Sequence, residues 1–175
     1  MSGDEYDRLV GSVGDQMIRS IWRILGDPDD AEDALQDALA SVWQHMKRVR
    51  SHPNPKALIL RICVNAAYDK LRQRRRRMEV GFPLDDPEDP SLSAEEQLIG
   101  LERRAEVREA ISRLSRKQAE AVLLRDIEDQ PYEVVAQALG CRESTARKHV
   151  ARARERLRKL LSDVPTDLSK QGEQA

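Results

Sequence analysis

Apolar side chains recur every three or four residues in one segment after another of this chain. The first such segment carries Val10, Val13, Met17, Ile21 and Ile24, a spacing that places them on one face of a helix. Strong helix formers dominate the composition, and aromatic residues make up only 3% of the chain, which leaves little material for a β-sandwich. The sequence therefore predicts an all-α protein.

Start and stop signals divide the N-terminal part of the chain into three helices. The first, from Tyr6 to Leu25, is followed by Gly26, which ends it. Asp27 caps the second helix and Asn54 caps the third, and each cap is followed by a proline suited to the first helical position. Three helices with short connections predict a bundle, which we place at residues 1–78.

The formal net charge of −1 hides two basic blocks separated by an acidic one. Lys56 to Arg77 contains eight basic residues and one acidic residue, and Arg142 to Lys159 contains eight basic and two acidic residues. Between them, Glu79 to Glu102 contains eight acidic residues and no basic one. A basic block on a helix is the pattern expected for phosphate contacts, so the distribution favours nucleic-acid binding although the net charge does not.

A proline-rich acidic segment separates the predicted bundle from a second helical region. Gly81 to Pro90 contains three prolines and four acidic residues, which is typical of an extended linker. We place an acidic linker at residues 79–92, a four-helix domain at residues 93–162 and a disordered polar tail at residues 163–175. The predicted architecture is two small helical domains joined by the linker.

The segment from Pro131 to Lys159 has the pattern of a helix-turn-helix. A short apolar helix is followed by Gly140, which tolerates the positive φ of the turn, and then by a longer basic helix. Arg147, Lys148, Arg152 and Arg154 are expected to point away from the core, where they can reach phosphates and guanine edges. A solvated amphipathic helix is the alternative, but the turn and the packed partner helix favour DNA binding.

Three motifs together resemble one known family. The run GCRESTAR at residues 140–147, followed by ARARERL at residues 151–157, resembles the DNA-reading module of extracytoplasmic-function sigma factors of bacterial RNA polymerase. Upstream, GDPDDAEDALQD at residues 26–37, together with Trp43, is similar to the polymerase-binding helix of that family. The resemblance covers roughly residues 6–161, in the family's order and spacing.

The resemblance implies a sigma factor that binds core RNA polymerase and directs promoter recognition and transcription initiation. In the family, the acidic helix docks on the coiled-coil clamp of the largest polymerase subunit. The matching positions here are Asp33, Gln36, Asp37 and Trp43. Without the family match, the acidic face would be read as solvated and Trp43 as partly a core residue.

The resemblance also implies two promoter-reading sites. In the family, the third helix captures the minus-ten element as a single strand, and the matching positions here are Asn65, Asp69 and Arg72. The last helix reads the minus-thirty-five element in the major groove. The candidates by position are Arg142, Glu143, Ser144, Thr145, Arg147, Lys148 and Arg152.

The chain departs from the family pattern in the minus-ten region. The family usually has aromatic residues near positions 55 and 58, where this chain has Pro55 and Leu58, and only Tyr68 remains nearby. Single-strand capture needs flat surfaces and cations, so the mode of promoter melting is left open, with Leu58 as a possible wedge against a base. Arg142 replaces the family's usual serine cap, which predicts a weaker start of the last helix.

The expected partners are core RNA polymerase, promoter DNA and, from the resemblance, an anti-sigma factor. No cofactor is expected. The sequence has no apolar run long enough to span a bilayer and no signal-peptide core, so we expect a cytoplasmic protein without membrane insertion. Cys63 and Cys141 are far apart and are expected to be reduced thiols.

Three other classes of protein are alternatives to the sigma factor. A helix-turn-helix repressor or activator that acts without polymerase would explain the C-terminal helices but leave the acidic helix from Asp27 to Trp43 without a role. A module that only sequesters a partner would have no DNA affinity. An enzyme is disfavoured, because the sequence has no phosphate loop, HExxH or GxSxG motif and its three histidines have no metal-ligand spacing.

Overall fold

The computed structural model describes residues 3–79 and 94–162, and this part of the chain contains helices and no strand. The all-α prediction is therefore confirmed for the described residues. The predicted acidic linker and the predicted tail fall almost entirely outside them. None of the described helices is both long enough and apolar enough to cross a bilayer.

The N-terminal half, residues 3–79, has three long helices and two short ones. They are α1 (Gly3–Gly11), α2 (Gly14–Leu25), α3 (Pro28–Gln44), α4 (Met46–Ser51) and α5 (Pro55–Glu79). The prediction of one continuous helix from Tyr6 to Leu25 is wrong, because a turn at Ser12 and Val13 interrupts the helix between Gly11 and Gly14. Two glycines in four residues weaken a helix, and the Ser12 hydroxyl donates to the Leu9 carbonyl oxygen at 2.8 Å, an alternative to regular helical bonding.

The predicted helix caps are present in the structure. The Asp27 carboxylate accepts a hydrogen bond from the Asp30 amide at 2.8 Å, and the Asn54 side-chain oxygen accepts one from the Ala57 amide at 3.1 Å. Gly26 ends α2 in the left-handed conformation, with φ at 67°. These local signals position α3 and α5, the two helices that carry the candidate sites of this half.

Helix α5 lies at the centre of the molecule. It packs against α2 and α3 on one side and against the C-terminal half on the other. Its four consecutive residues 57–60 are all buried, which a helix with a single apolar face cannot achieve. The helix is therefore covered by both halves of the protein.

The C-terminal half, residues 94–162, contains the four predicted helices, the second of which continues as a π-helical turn. The elements are α6 (Ala94–Ser112), α7 (Arg116–Val122), the π-helical turn (Leu123–Ile127), α8 (Tyr132–Leu139) and α9 (Glu143–Ser162). In the π-helical turn, the Glu128 amide donates to the Leu123 carbonyl at 3.1 Å. Helix α7 packs closely against α8 and α9.

The two halves share one continuous cluster of buried apolar residues. Across their contact, the Tyr68 hydroxyl donates to the Leu114 carbonyl at 2.6 Å. Arg61 of α5 forms an ion pair with Glu120 of α7 at 3.1 Å. The division into two domains stays a prediction, since residues 80–93 lie outside the described part of the chain.

Candidate DNA and polymerase interfaces

Helices α8 and α9 form the predicted helix-turn-helix. Gly140 adopts the left-handed conformation with φ at 65°, and the Cys141 amide donates to the Ala136 carbonyl at 3.0 Å, which satisfies the end of α8. Helix α9 then begins at Glu143. The backbone carbonyl of Arg142 accepts from the Thr145 and Ala146 amides at 2.9 and 3.0 Å, so the helix starts without a serine at position 142.

Helix α9 separates a buried apolar face from an exposed basic face. Ala146, Val150 and Ala153 are 0% exposed and pack on the rest of the C-terminal half. Of the seven predicted minus-thirty-five residues, Thr145 is half-buried and six are exposed. The exposed ones are Arg142, Glu143, Ser144, Arg147, Lys148 and Arg152. Exposed side chains in the first turns of the second helix are what a helix-turn-helix needs to reach base edges.

Arg147 is held by two neighbours at the start of α9. Its Nε and Nη2 atoms donate to Glu143 Oε1 at 3.0 and 2.5 Å. Its Cζ atom lies 4.2 Å from the ring centroid of Tyr132, the first residue of α8. The Arg125 Cζ atom lies 5.1 Å from the same centroid. Both distances are within the range of cation–π attraction.

Arg154, further along α9, is engaged by Asp126 at the end of the π-helical turn. The guanidinium donates twice to the carboxylate, at 2.6 and 3.0 Å. This hydrogen bonding raises the pKa of Arg154 above its usual value. The pair ties the middle of α9 to the preceding elements.

The acidic face of α3 is exposed as predicted. The side chains of Asp33 and Asp37 are 64% and 68% exposed, and Gln36 is exposed between them. Lys70 of α5 lies 3.1 Å from Asp33 and 3.7 Å from Asp37, and so supports both carboxylates from the side. These exposed groups are available to a partner protein.

Trp43 lies near the C-terminal end of α3 and is 44% exposed. Its ring packs edge-on against Tyr6 of α1, with the centroids 5.1 Å apart and the planes at 82°. The reading of Trp43 as partly a core residue is consistent with this contact. Nearly half of the side chain nevertheless remains open to a partner on the surface of α3.

The three predicted minus-ten residues lie along one side of α5 but in different surroundings. Asn65 borders a groove between α3 and α5 of about 310 Å³, which Asp37 and Asp69 also line. The side-chain oxygen of Asn65 is buried and has no hydrogen-bond partner. Arg72 lies 5.8 Å from the ring centroid of Tyr68. Asn65 thus lines the groove, but its unpaired oxygen is not exposed in it.

Asp69 is bound by a residue that the sequence did not single out. Arg116, at the first position of α7, donates to both Asp69 carboxylate oxygens, at 2.6 and 3.4 Å. This hydrogen bond raises the pKa of the Arg116 guanidinium. The pair joins residues 47 positions apart, so no local spacing rule predicts it.

Leu58 and Tyr68 are not presented to an unpaired base in this structure. Leu58 is only 5% exposed and Tyr68 only 1% exposed. Both residues belong to the shared apolar cluster. The suggestion that Leu58 acts as a wedge against a base is therefore wrong for this conformation. Pro55, at the start of α5, is half-buried.

The chain matches two family models. The family described as "Sigma-70 region 2" matches residues 9–77, and "Sigma-70, region 4" matches residues 104–157. The first range contains the acidic helix α3 and the three α5 residues, and the second contains the helix-turn-helix. The match to region 2 is not expected of a repressor that acts without polymerase.

Two relatives and one solved structure resemble the chain over most of its length. The RNA polymerase sigma-E factor of Streptomyces coelicolor is 32% identical over 90% of this chain and 86% of that protein. The ECF RNA polymerase sigma factor SigM of Mycobacterium tuberculosis is 30% identical over 97% of this chain and 84% of that protein. The sigma factor RpoE of Bartonella quintana, solved with the anti-sigma factor NepR, is 25% identical with a TM-score of 0.54, covering 91% of this chain and 98% of that one.

These similarities confirm the functional prediction. Sigma factors bind core RNA polymerase and promoter DNA, direct promoter recognition and transcription initiation, and are not enzymes. Region 2 and region 4 occur here in one chain, in the order and with the helices that the sequence motifs predict. This protein belongs to the extracytoplasmic-function sigma factors.

Proposed function

We propose that the exposed faces of α3, α5 and α9 each bind a different partner during transcription initiation. Helix α3 docks on core RNA polymerase, α5 binds the minus-ten element and α9 reads the minus-thirty-five element. The observation that carries this proposal is the exposure of an acidic α3 face and a basic α9 face on different halves of one molecule. Opposite charges suit the two partners, since DNA attracts cations and a basic protein surface attracts carboxylates.

The polymerase-docking face consists of Asp33, Gln36, Asp37 and Trp43. Lys70 limits the freedom of the two carboxylates, so they are partly ordered before the polymerase binds. Trp43 supplies exposed aromatic area, which is frequent among residues that dominate binding energy at protein interfaces. The face combines an oriented charge pattern with an apolar anchor.

Replacing Asp37 by arginine is expected to weaken binding to core polymerase about tenfold or more. The change removes one attractive charge and adds a repulsive one at an exposed position, and like-charge juxtaposition at an interface is costly. Affinity is measured by titrating labelled sigma factor with core polymerase. Asp15→Arg is the matched control, because it makes the same charge change at an exposed position on α2. Equal affinities for the two variants would reject the docking face.

The minus-ten surface consists of Asn65, Asp69 and Arg72 on α5. Asn65 lines the groove between α3 and α5, and its unpaired side-chain oxygen, which is buried in this conformation, can accept a hydrogen bond from the amino group of a base once the side chain turns into the groove. Asp69 can accept such a hydrogen bond while it stays paired with Arg116, because its side chain is 50% exposed and its carboxylate has lone pairs that Arg116 does not use.

The minus-thirty-five surface is the N-terminal part of α9. Arginine and lysine bind the O6 and N7 atoms of guanine, and arginine does so with two parallel hydrogen bonds. Arg147 and Lys148 are placed for such contacts in the second turn of the helix. Arg142, Ser144 and Arg152 flank them and suit contacts to backbone phosphates, which fix the register of the protein on DNA.

We further propose an anti-sigma factor as a regulatory partner and the cytoplasm as the location of the protein. Support for the partner comes from RpoE, whose solved structure contains the anti-sigma factor NepR. The direct packing of the two halves in this chain supplies a form that such a partner can hold. Promoter DNA and polymerase are both reached from the cytoplasm of a bacterium.

Run-off transcription with core polymerase and a library of genomic promoters tests the proposed function as a whole. The expected result is a limited set of transcripts whose start sites share two upstream sequence elements. If core polymerase makes the same transcripts with and without the protein, the proposal is refuted. The same assay identifies the two elements, which the variants below require.

A further inference from the structure

The ring of Tyr132 lies against two arginine side chains at the surface of the helix-turn-helix. The Arg147 Cζ atom is 4.2 Å and the Arg125 Cζ atom 5.1 Å from the ring centroid. Tyr132 is half-buried, whereas Arg147 is exposed. The ring is therefore anchored in α8 while one of its neighbours, Arg147, belongs to the promoter-reading face of α9.

The surroundings of Arg147 restrict a side chain that would otherwise be free. Its side chain is 58% exposed, and an exposed arginine has many rotamers that must be given up when it binds a base. Glu143 holds the Nε edge of the guanidinium from one turn earlier on the same helix. The Tyr132 ring attracts the guanidinium through its quadrupole from a different helix. Two contacts from separate elements fix the group more tightly than either contact alone.

A packing role alone does not account for this arrangement. A residue that only filled space at the start of α8 would need an apolar body of suitable size, which leucine also provides. The 4.2 Å approach of Arg147 uses the ring face itself, since a cation over a ring is attracted electrostatically. The ring quadrupole therefore attracts the Arg147 guanidinium, which an aliphatic side chain of similar volume would not do.

We propose that Tyr132 is a positioning residue for minus-thirty-five recognition, whose ring orients the Arg147 guanidinium toward a guanine edge in the major groove. The inference rests on the proposed role of Arg147 and extends it to a residue outside α9. Guanine is the expected base because a pre-oriented guanidinium matches its O6 and N7 acceptors with two parallel hydrogen bonds. Orientation before binding reduces the ordering cost of the contact.

The test measures base preference at each minus-thirty-five position with the full-length protein in holoenzyme and a randomised promoter library. Tyr132→Leu is expected to reduce discrimination about two- to fivefold, the range for an exposed cation–π contact, and only at the positions that Arg147→Ala also changes. Tyr132→Phe should keep the base preference of the original protein. Pentafluorophenylalanine at position 132 keeps the ring shape while inverting its quadrupole, and should behave like leucine.

A double-mutant cycle separates positioning from a structural effect. In the Arg147→Ala background, Tyr132→Leu should cause no further change in base preference. Any of three results would overturn the inference. Tyr132→Leu could cause a further loss of base preference in the Arg147→Ala background, or it could leave the base preference of the original protein unchanged. The pentafluorophenylalanine variant could have the same base preference as Tyr132→Phe. If Arg147→Ala itself leaves the profile unchanged, the proposed role of Arg147 fails; if only the Tyr132 variants are silent, that role stands and the positioning inference fails.

Discussion

Replacing Arg147 and Lys148 together by alanine is expected to abolish promoter-specific initiation while the protein stays folded. Both side chains are exposed on α9 and contribute nothing to its buried face, and alanine favours the helix. Each lost base contact costs about 1–3 kcal/mol of discrimination, so two cost roughly 2–6 kcal/mol, or about 30-fold to more than 10⁴-fold. Run-off transcription from the identified promoters measures the loss.

A matched pair of substitutions controls for the lost positive charge. Arg156 and Arg158 are also exposed on α9, but lie two to three turns further from its N-terminus. The variant with both replaced by alanine should keep its start sites and lose only the general attraction to phosphates, which high salt also removes. Initiation by the Arg147/Lys148 variant at the level of this control would contradict the readout role of α9.

The features that the sequence predicted correctly are those encoded by residues close together in the chain. Asp27 and Asn54 cap helices within three residues of their own positions, and Gly140 sets the turn by its own φ. The separation of buried and exposed residues along α9 follows from helical periodicity alone. Such signals place the exposed candidate residues without knowledge of the tertiary structure.

The features that the sequence did not predict depend on which helices meet. Arg116 reaches Asp69 across 47 residues, and Tyr132 meets Arg147 only because the turn at Gly140 brings α8 against α9. The break between α1 and α2 was missed for a different reason. Val10, Val13 and Met17 keep their three- and four-residue spacing across the break, so the apolar pattern continues although the helix does not.

The burial of α5 on two sides has a testable consequence for stability. Arg61 lies where α5 meets the C-terminal half. Its Nε and Nη2 atoms are both 3.1 Å from Glu120 Oε2, and its Nη1 atom donates to the Ala138 carbonyl at 2.9 Å. The Glu120 side chain is 1% exposed. A second cation, Lys117, has its Nζ atom 3.5 Å from Glu120 Oε2, and its side chain is 50% exposed.

Replacing Arg61 by methionine is therefore expected to lower the free energy of unfolding by about 3 kcal/mol, because it leaves the buried Glu120 carboxylate without its main partner. Urea unfolding followed by circular dichroism measures the change. Arg113→Met is the matched control, since Arg113 pairs with Glu109 at the surface, where its side chain is 51% exposed, and exposed pairs contribute about 0–1 kcal/mol.

A second substitution distinguishes the charge from the packing of the arginine. Adding Glu120→Met to Arg61→Met removes the isolated carboxylate, and should recover most of the lost stability because an apolar pair can replace a buried ion pair. If Arg61→Met costs no more than Arg113→Met, the contact between the halves does not depend on this pair. A large loss that Glu120→Met reverses would show that α5 and α7 are joined through a charge that neither half can bury alone.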